Sequence, residues 1–94
     1  MRRPTFTKGP WSSTFTLGNG AFRILSRRGY VATVESPDDA RLIKKAPEMY
    51  NALDTLAADV RGVLASCEMP VSRRQWLEGG LQRVNELLNE VDGK

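Results

Sequence analysis

The stretch that decides the fold is SPDDARLIKKAPEMYNALDTLAADVRGVLASC, residues 36–67. Ser36 is placed as a helix N-cap, where its hydroxyl accepts from an amide of the first turn. Pro37 follows at the first helical position, with a suitable φ and no N–H to lose. Asp38 and Asp39 then set negative charge on the positive end of the helix dipole. Pro47 interrupts the pattern, because a proline deep in a helix removes a hydrogen bond and costs about 3 kcal/mol. The order of residues therefore predicts a short helix over 37–45 and a long one restarting near Pro47. A single kinked helix is the alternative. From Met49 the apolar residues recur at Met49, Leu53, Leu56, Val60, Val63 and Cys67, a stripe one residue wide. Cys67 closes that seam and is expected to be a buried, inert thiol.

The last helix repeats the rhythm at Leu77, Leu81, Val84, Leu88 and Val91. Ser72 with Gln75 reads as a capping box, so this helix is expected over 73–91, fraying at residues 92–94. With a loop at 68–71, the two long helices read as an antiparallel hairpin. Gly79-Gly80 inside a helix costs about 2 kcal/mol relative to two alanines. Reflecting the hairpin about its loop brings Gly62 level with Gly79. The three glycines then mark either a close helix–helix contact or a notch for a partner helix or second protomer. Tyr50, Leu64, Trp76 and Leu87 lie beside the two stripes. A small domain has little interior for them, so a homo-oligomer is expected, a dimer first.

Upstream, residues 1–10 are broken by Pro4, Gly9 and Pro10 and read as an irregular arm. Trp11 either pins that arm to the core or stands exposed as an anchor for a partner. Residues 12–17 alternate, and Gly18-Asn19-Gly20 supplies a tight turn. Residues 21–26 form the next strand, with Phe22 and Ile24 on one side and Arg23 and Leu25 on the other. Arg28-Gly29 makes the second turn, and 30–35 the third strand. The fold class is α+β: a three-stranded antiparallel β-meander, then a short helix and an antiparallel helical hairpin. The helices cover the apolar face of the sheet, which three short strands need. One domain is expected over 1–94, with a basic arm at 1–11, the meander at 12–35 and the helical part at 36–94.

Charge is uneven along the chain. Residues 1–35 hold six Lys/Arg against Glu35 alone; residues 36–94 hold eight against ten acids. A basic N-terminal third favours phosphate or an acidic partner. Two arginine pairs stand out as candidate binding residues. Arg27 and Arg28 lie at a hairpin tip beside Tyr30. Arg73 and Arg74 open the last helix, where their charge opposes the dipole, with Trp76 close by. Ordinary surface solubility is the plainer reading of both.

Several classes are excluded or disfavoured. No apolar run approaches the roughly 18 residues of a membrane span. The first residues have no apolar segment of the signal-peptide kind. One cysteine permits no internal disulfide and suits a reducing cytoplasm. The chain has no histidine, which removes the usual general base and most zinc sites. No phosphate-binding glycine motif or calcium loop is present. The expectation is a non-enzymatic protein with no metal and no cofactor.

The stretch ARLIKKAPEMYNAL at 40–53 resembles a group of small phage and prophage proteins whose hallmark is similar to A-R-L-I-A-A-A-P-E-L-L-E-A-L. Ala40, Arg41, Leu42, Ile43, Ala46, Pro47, Glu48, Ala52 and Leu53 match. Lys44 and Lys45 stand in place of small residues, and Met49-Tyr50 in place of a leucine pair. Thr7-Lys8-Gly9-Pro10-Trp11 is similar to the T-P-G-P-W start of the same group, with Lys8 in place of proline. The resemblance implies a phage-encoded binding protein in the host cytoplasm, an inhibitor that binds a host defence complex stoichiometrically. An oligomeric sponge for a nucleotide messenger is the alternative, as is a small basic nucleic-acid-binding protein using Tyr30 or Phe22 for stacking.

Overall fold

The computed structural model describes residues 4–16 and 20–93. Arg2, Arg3, Leu17 and the Gly18-Asn19 half of the expected first turn lie outside the described residues. Three strands come first: β1 (Ser12–Thr16), β2 (Ala21–Ser26) and β3 (Gly29–Val34), followed by α1 (Pro37–Lys44), α2 (Ala46–Ser66) and α3 (Val71–Val91). The sheet is antiparallel in the order β1-β2-β3. This is the α+β layout expected from the sequence. The chain divides into two compact units, a sheet unit at Phe6–Met49 and a helical unit built from Met1–Thr5 and Tyr50–Lys94.

In the sheet unit, strand alternation decides which side chains face inward. Phe15, Phe22 and Val34 form one cross-strand row, and Ser13, Ile24 and Ala32 the next. Ile24 is fully buried, and α1 packs over the sheet with Ala40 buried. Phe15 and Phe22 meet as a tilted ring pair, centroids 5.2 Å apart. Helix α1 begins as expected: Ser36 Oγ accepts from the Asp39 N–H at 3.4 Å, with Pro37 at the first position. Asp38 pairs with Arg41 one turn on.

The helical break also falls as expected. Lys45 ends α1 by donating its N–H to Leu42 O (3.2 Å), and its own carbonyl accepts from Met49 N–H (2.9 Å) to start α2. Pro47 is thus the second residue of α2, where its missing N–H leaves no gap. It is also buried, against Gly9. A Cβ built on Gly9 would stand 2.6 Å from Pro47 Cβ. The glycine of KGPW and the proline of APE therefore touch. Trp11 is half-buried, edge-on to Phe6 at 6.1 Å, and its Nε1 donates to Thr7 O (3.0 Å). Both contacts lie within the arm, so they tie the arm to itself and do not show it fastened to the core.

In the helical unit, three side-chain hydrogen bonds step along an antiparallel pair. Tyr50 Oη donates to Asp92 Oδ1 (2.8 Å), Arg61 Nη1 to Asn85 Oδ1 (3.4 Å) and Arg74 Nη2 to the Cys67 carbonyl (3.2 Å). The α3 stripe is close to the expected one: Leu88 is buried, Leu77, Leu81 and Val84 are half-buried, and Val91 is exposed.

The α2 stripe is not. The inward residues are Tyr50, Asp54 and Ala57, flanked by half-buried Leu53, Val60 and Leu64, whereas Met49, Leu56 and Val63 are exposed. Apolar residues occupy two neighbouring stripes of α2, so rhythm alone does not choose between them. Tyr50, read as surplus, is buried because its hydroxyl has a buried carboxylate to bond. The same bond corrects the expected fraying at Asp92, which is buried and caps α3 with its N–H on Leu88 O (3.0 Å).

Two further expectations fail. Helix α3 starts at Val71 after Pro70, so Ser72 falls inside the first turn and no side chain caps this end. Cys67 lies beyond the last residue of α2 and is exposed, so it does not close a seam. With ordinary solvent access, its thiol is expected to react fully with a maleimide in the native protein within minutes. Labelling only after unfolding would restore the buried reading.

Candidate functional site

The candidate binding residues fall into two groups, one in each unit. In the sheet unit, Arg27 and Arg28 form the turn between β2 and β3. Neither adopts positive φ; Gly29 carries it instead, at +117°, where a side chain would be strained. The turn is thus an ordinary one followed by a glycine, rather than the Arg28-Gly29 pair expected. Ser26 braces it: Oγ accepts the Arg28 N–H (3.1 Å) and reaches the Gly29 carbonyl (3.4 Å). Both arginines are exposed, as is Tyr30, whose hydroxyl lies 2.8 Å from Thr33 Oγ1.

At the start of α3, Arg73 is exposed and Trp76 is 76% exposed, the most open of the large apolar side chains among the described residues. Arg74 has a different setting. Besides its bond to the Cys67 carbonyl, its Nη1 lies 3.9 Å from Glu78. Its position opposes the dipole of α3 but suits the C-terminal end of α2, whose last carbonyls carry the negative pole. That accounts for a placement the sequence left unexplained.

Gly62, Gly79 and Gly80 lie along the part of the hairpin bracketed by the Arg61–Asn85 and Cys67–Arg74 bonds. A Cβ built on any of them meets nothing within 4 Å. Close approach of the two helices therefore does not explain them. Sequence reasoning missed the exposed Leu56 and Val63 on α2 and Val91 on α3 by assigning them to the two seams, and it passed over Val71. It also left out Arg23, which stands exposed between Thr14 and Thr33 on the sheet. The alternation of residues 21–26 was the signal available for that side chain.

Among the described residues, no group of three or more His, Cys, Asp or Glu side chains is placed to hold a metal ion. None of their helices is long and apolar enough to cross a membrane. Comparison of the chain with protein-family models, curated proteins and solved structures gives no significant match to any of them.

Proposed function

We propose that this chain is a non-enzymatic binding protein that acts by occupying a protein surface with the exposed apolar side chains of its helical hairpin. The observation that carries this reading is Trp76, open to 76% at the first turns of α3. Leu87 and Val91 follow on the same helix, and Leu56 and Val63 lie exposed on α2. Tryptophan is among the side chains most enriched at positions that dominate binding energy, and grouped exposed apolar side chains mark interaction sites.

The partner class follows from the phage-protein resemblance of residues 40–53. A host defence complex is the first partner to test, and a second copy of the chain is the competing occupant. Light scattering of the purified protein at micromolar concentration separates these, because self-association gives a mass at least twice the 10.5 kDa of one chain. The paired variant Trp76→Ser, Leu87→Ser is expected to keep the melting temperature within a few degrees, since both side chains are exposed. Its capture of a defined host complex should fall at least tenfold. Undiminished capture would refute this surface.

A further inference from the structure

We propose that the outer face of the β1-β2-β3 sheet binds single-stranded nucleic acid, with Tyr30 as the stacking platform and Arg23, Arg27 and Arg28 on the phosphates. The pairing register defines this face. One row runs Thr14, Arg23, Thr33, and the next Ser12, Leu25, Tyr30. The opposite face carries the fully buried Ile24; on the proposed face the third row, Thr16 and Ala21, is covered, with Ala21 buried, so the open part is the two rows nearer the arginine turn. Of the six residues in the two rows, five are exposed and only Leu25 is half-buried. This part of the face is therefore hydroxyl-rich and open, with one aromatic ring and arginines as its strong features.

The ring is held in a useful attitude. Tyr30 Oη lies 2.8 Å from Thr33 Oγ1, three residues along the same strand. To reach that atom the side chain lies down along β3 instead of standing away from the sheet. The residue is still 63% exposed. An exposed ring fixed along the sheet gives a base a flat surface at little entropic cost. Such stacking is insensitive to sequence, because every base has a π face. Bases within a duplex are already stacked on one another, so this platform selects an open strand.

Charge selects the same ligand. Arg23 lies between two short threonines, which leave its guanidinium unobstructed. Arg27 and Arg28 occupy the turn at the Tyr30 end, in a loop braced by Ser26. No carboxylate stands on any of the three strands. Glu35 comes after the end of β3, at the opposite end from the arginine turn, and Asp38 is paired with Arg41. Three guanidinium groups, an open ring and hydroxyls make a surface for a polyanion with stacking groups. An acidic peptide would match the charge but leave Tyr30 without a partner.

The test is fluorescence anisotropy of the full chain with a labelled 15-mer oligothymidylate, across a salt series. Each phosphate neutralised contributes about −0.7 to the slope of log K against log salt for a single strand. The paired variant Arg27→Gln, Arg28→Gln should flatten that slope by about 1.4, because two phosphates would no longer be neutralised. Tyr30→Leu should weaken binding about tenfold at unchanged slope, while Tyr30→Trp should retain it. A blunt 15-base-pair duplex should compete at least tenfold less well than the open strand. Equal binding by Tyr30→Leu would overturn the proposal, as would equal competition by the duplex or by polyglutamate, or absence of binding at 50 mM salt. The slope change in the arginine variant is read independently of the substitutions at Tyr30.

Discussion

Replacing Gly9 with alanine is expected to destabilise the protein by about 1–3 kcal/mol, the usual range for a methyl forced into an occupied position. The added Cβ would lie 2.6 Å from Pro47 Cβ and 3.0 Å from its Cγ. Neither atom can swing aside. Both belong to a ring, and the ring is buried at the second position of α2. Relief must therefore come from the backbone of the arm or of the helix start. For a chain of this size, each kcal/mol shifts the melting temperature by about 4–8 °C. A fall of about 4–24 °C, followed by circular dichroism, is the expected result. The control is Pro47→Gly, which removes the ring that the new methyl would strike. In that background Gly9→Ala should cost less than about 0.5 kcal/mol, since coupled neighbours are not additive. An equal penalty in both backgrounds would mean that Pro47 is not the cause.

The opposite sign is expected on the hairpin. Alanine is favoured over glycine in a helix by about 0.8–1 kcal/mol per residue, because glycine loses more backbone freedom on folding. Gly62, Gly79 and Gly80 are all helical, and a methyl on each would enter open space. The triple alanine variant should therefore gain about 2–3 kcal/mol. In urea this appears as a higher midpoint at an unchanged m-value. No gain would show that these positions carry a steric or conformational demand of their own. A gain in stability with a loss of partner capture would identify the glycines as a docking notch, kept at the expense of the helix.

The parts of the fold legible in the sequence are those set by neighbouring residues. The Ser36-Pro37-Asp38-Asp39 start is a local matter, and it fixes α1. Pro47 acts on its own preceding turn, and it fixes the division between α1 and α2. Strand alternation placed Ile24 inward and Arg23 outward. What required the tertiary structure is different in kind. The inward face of α2 depends on Tyr50 finding a carboxylate 42 residues away, and no periodicity encodes that partner. The Gly9–Pro47 contact joins two motifs that the sequence shows only as separate signatures.

The candidate site divides in the same way. Exposure of Arg27, Arg28 and Tyr30 follows from a turn and its flanking strand, and the sequence carried it. Arg74 looked misplaced because its environment was judged from its own helix. Its carbonyl partner belongs to Cys67, across the loop. Cys67 looked buried because a rhythm was extended one residue past the last turn that could sustain it.

The contacts around Asp92 have a consequence for the order of folding. Within residues 6–49 the sheet and α1 close over short separations, so that unit can complete itself early, while later residues are still being synthesised. Asp92 is different: its carboxylate waits for Tyr50 across 42 residues, and its carbonyl receives Thr5 Oγ1 across 87. Such wide loops gain nothing until their ends meet. A nascent chain halted before Asp92 could hold both long helices in part, yet it would lack the bonds that fasten the far end of the hairpin. The final latch of the molecule is thus timed by translation: it closes only once Asp92 itself has been made and has left the ribosome.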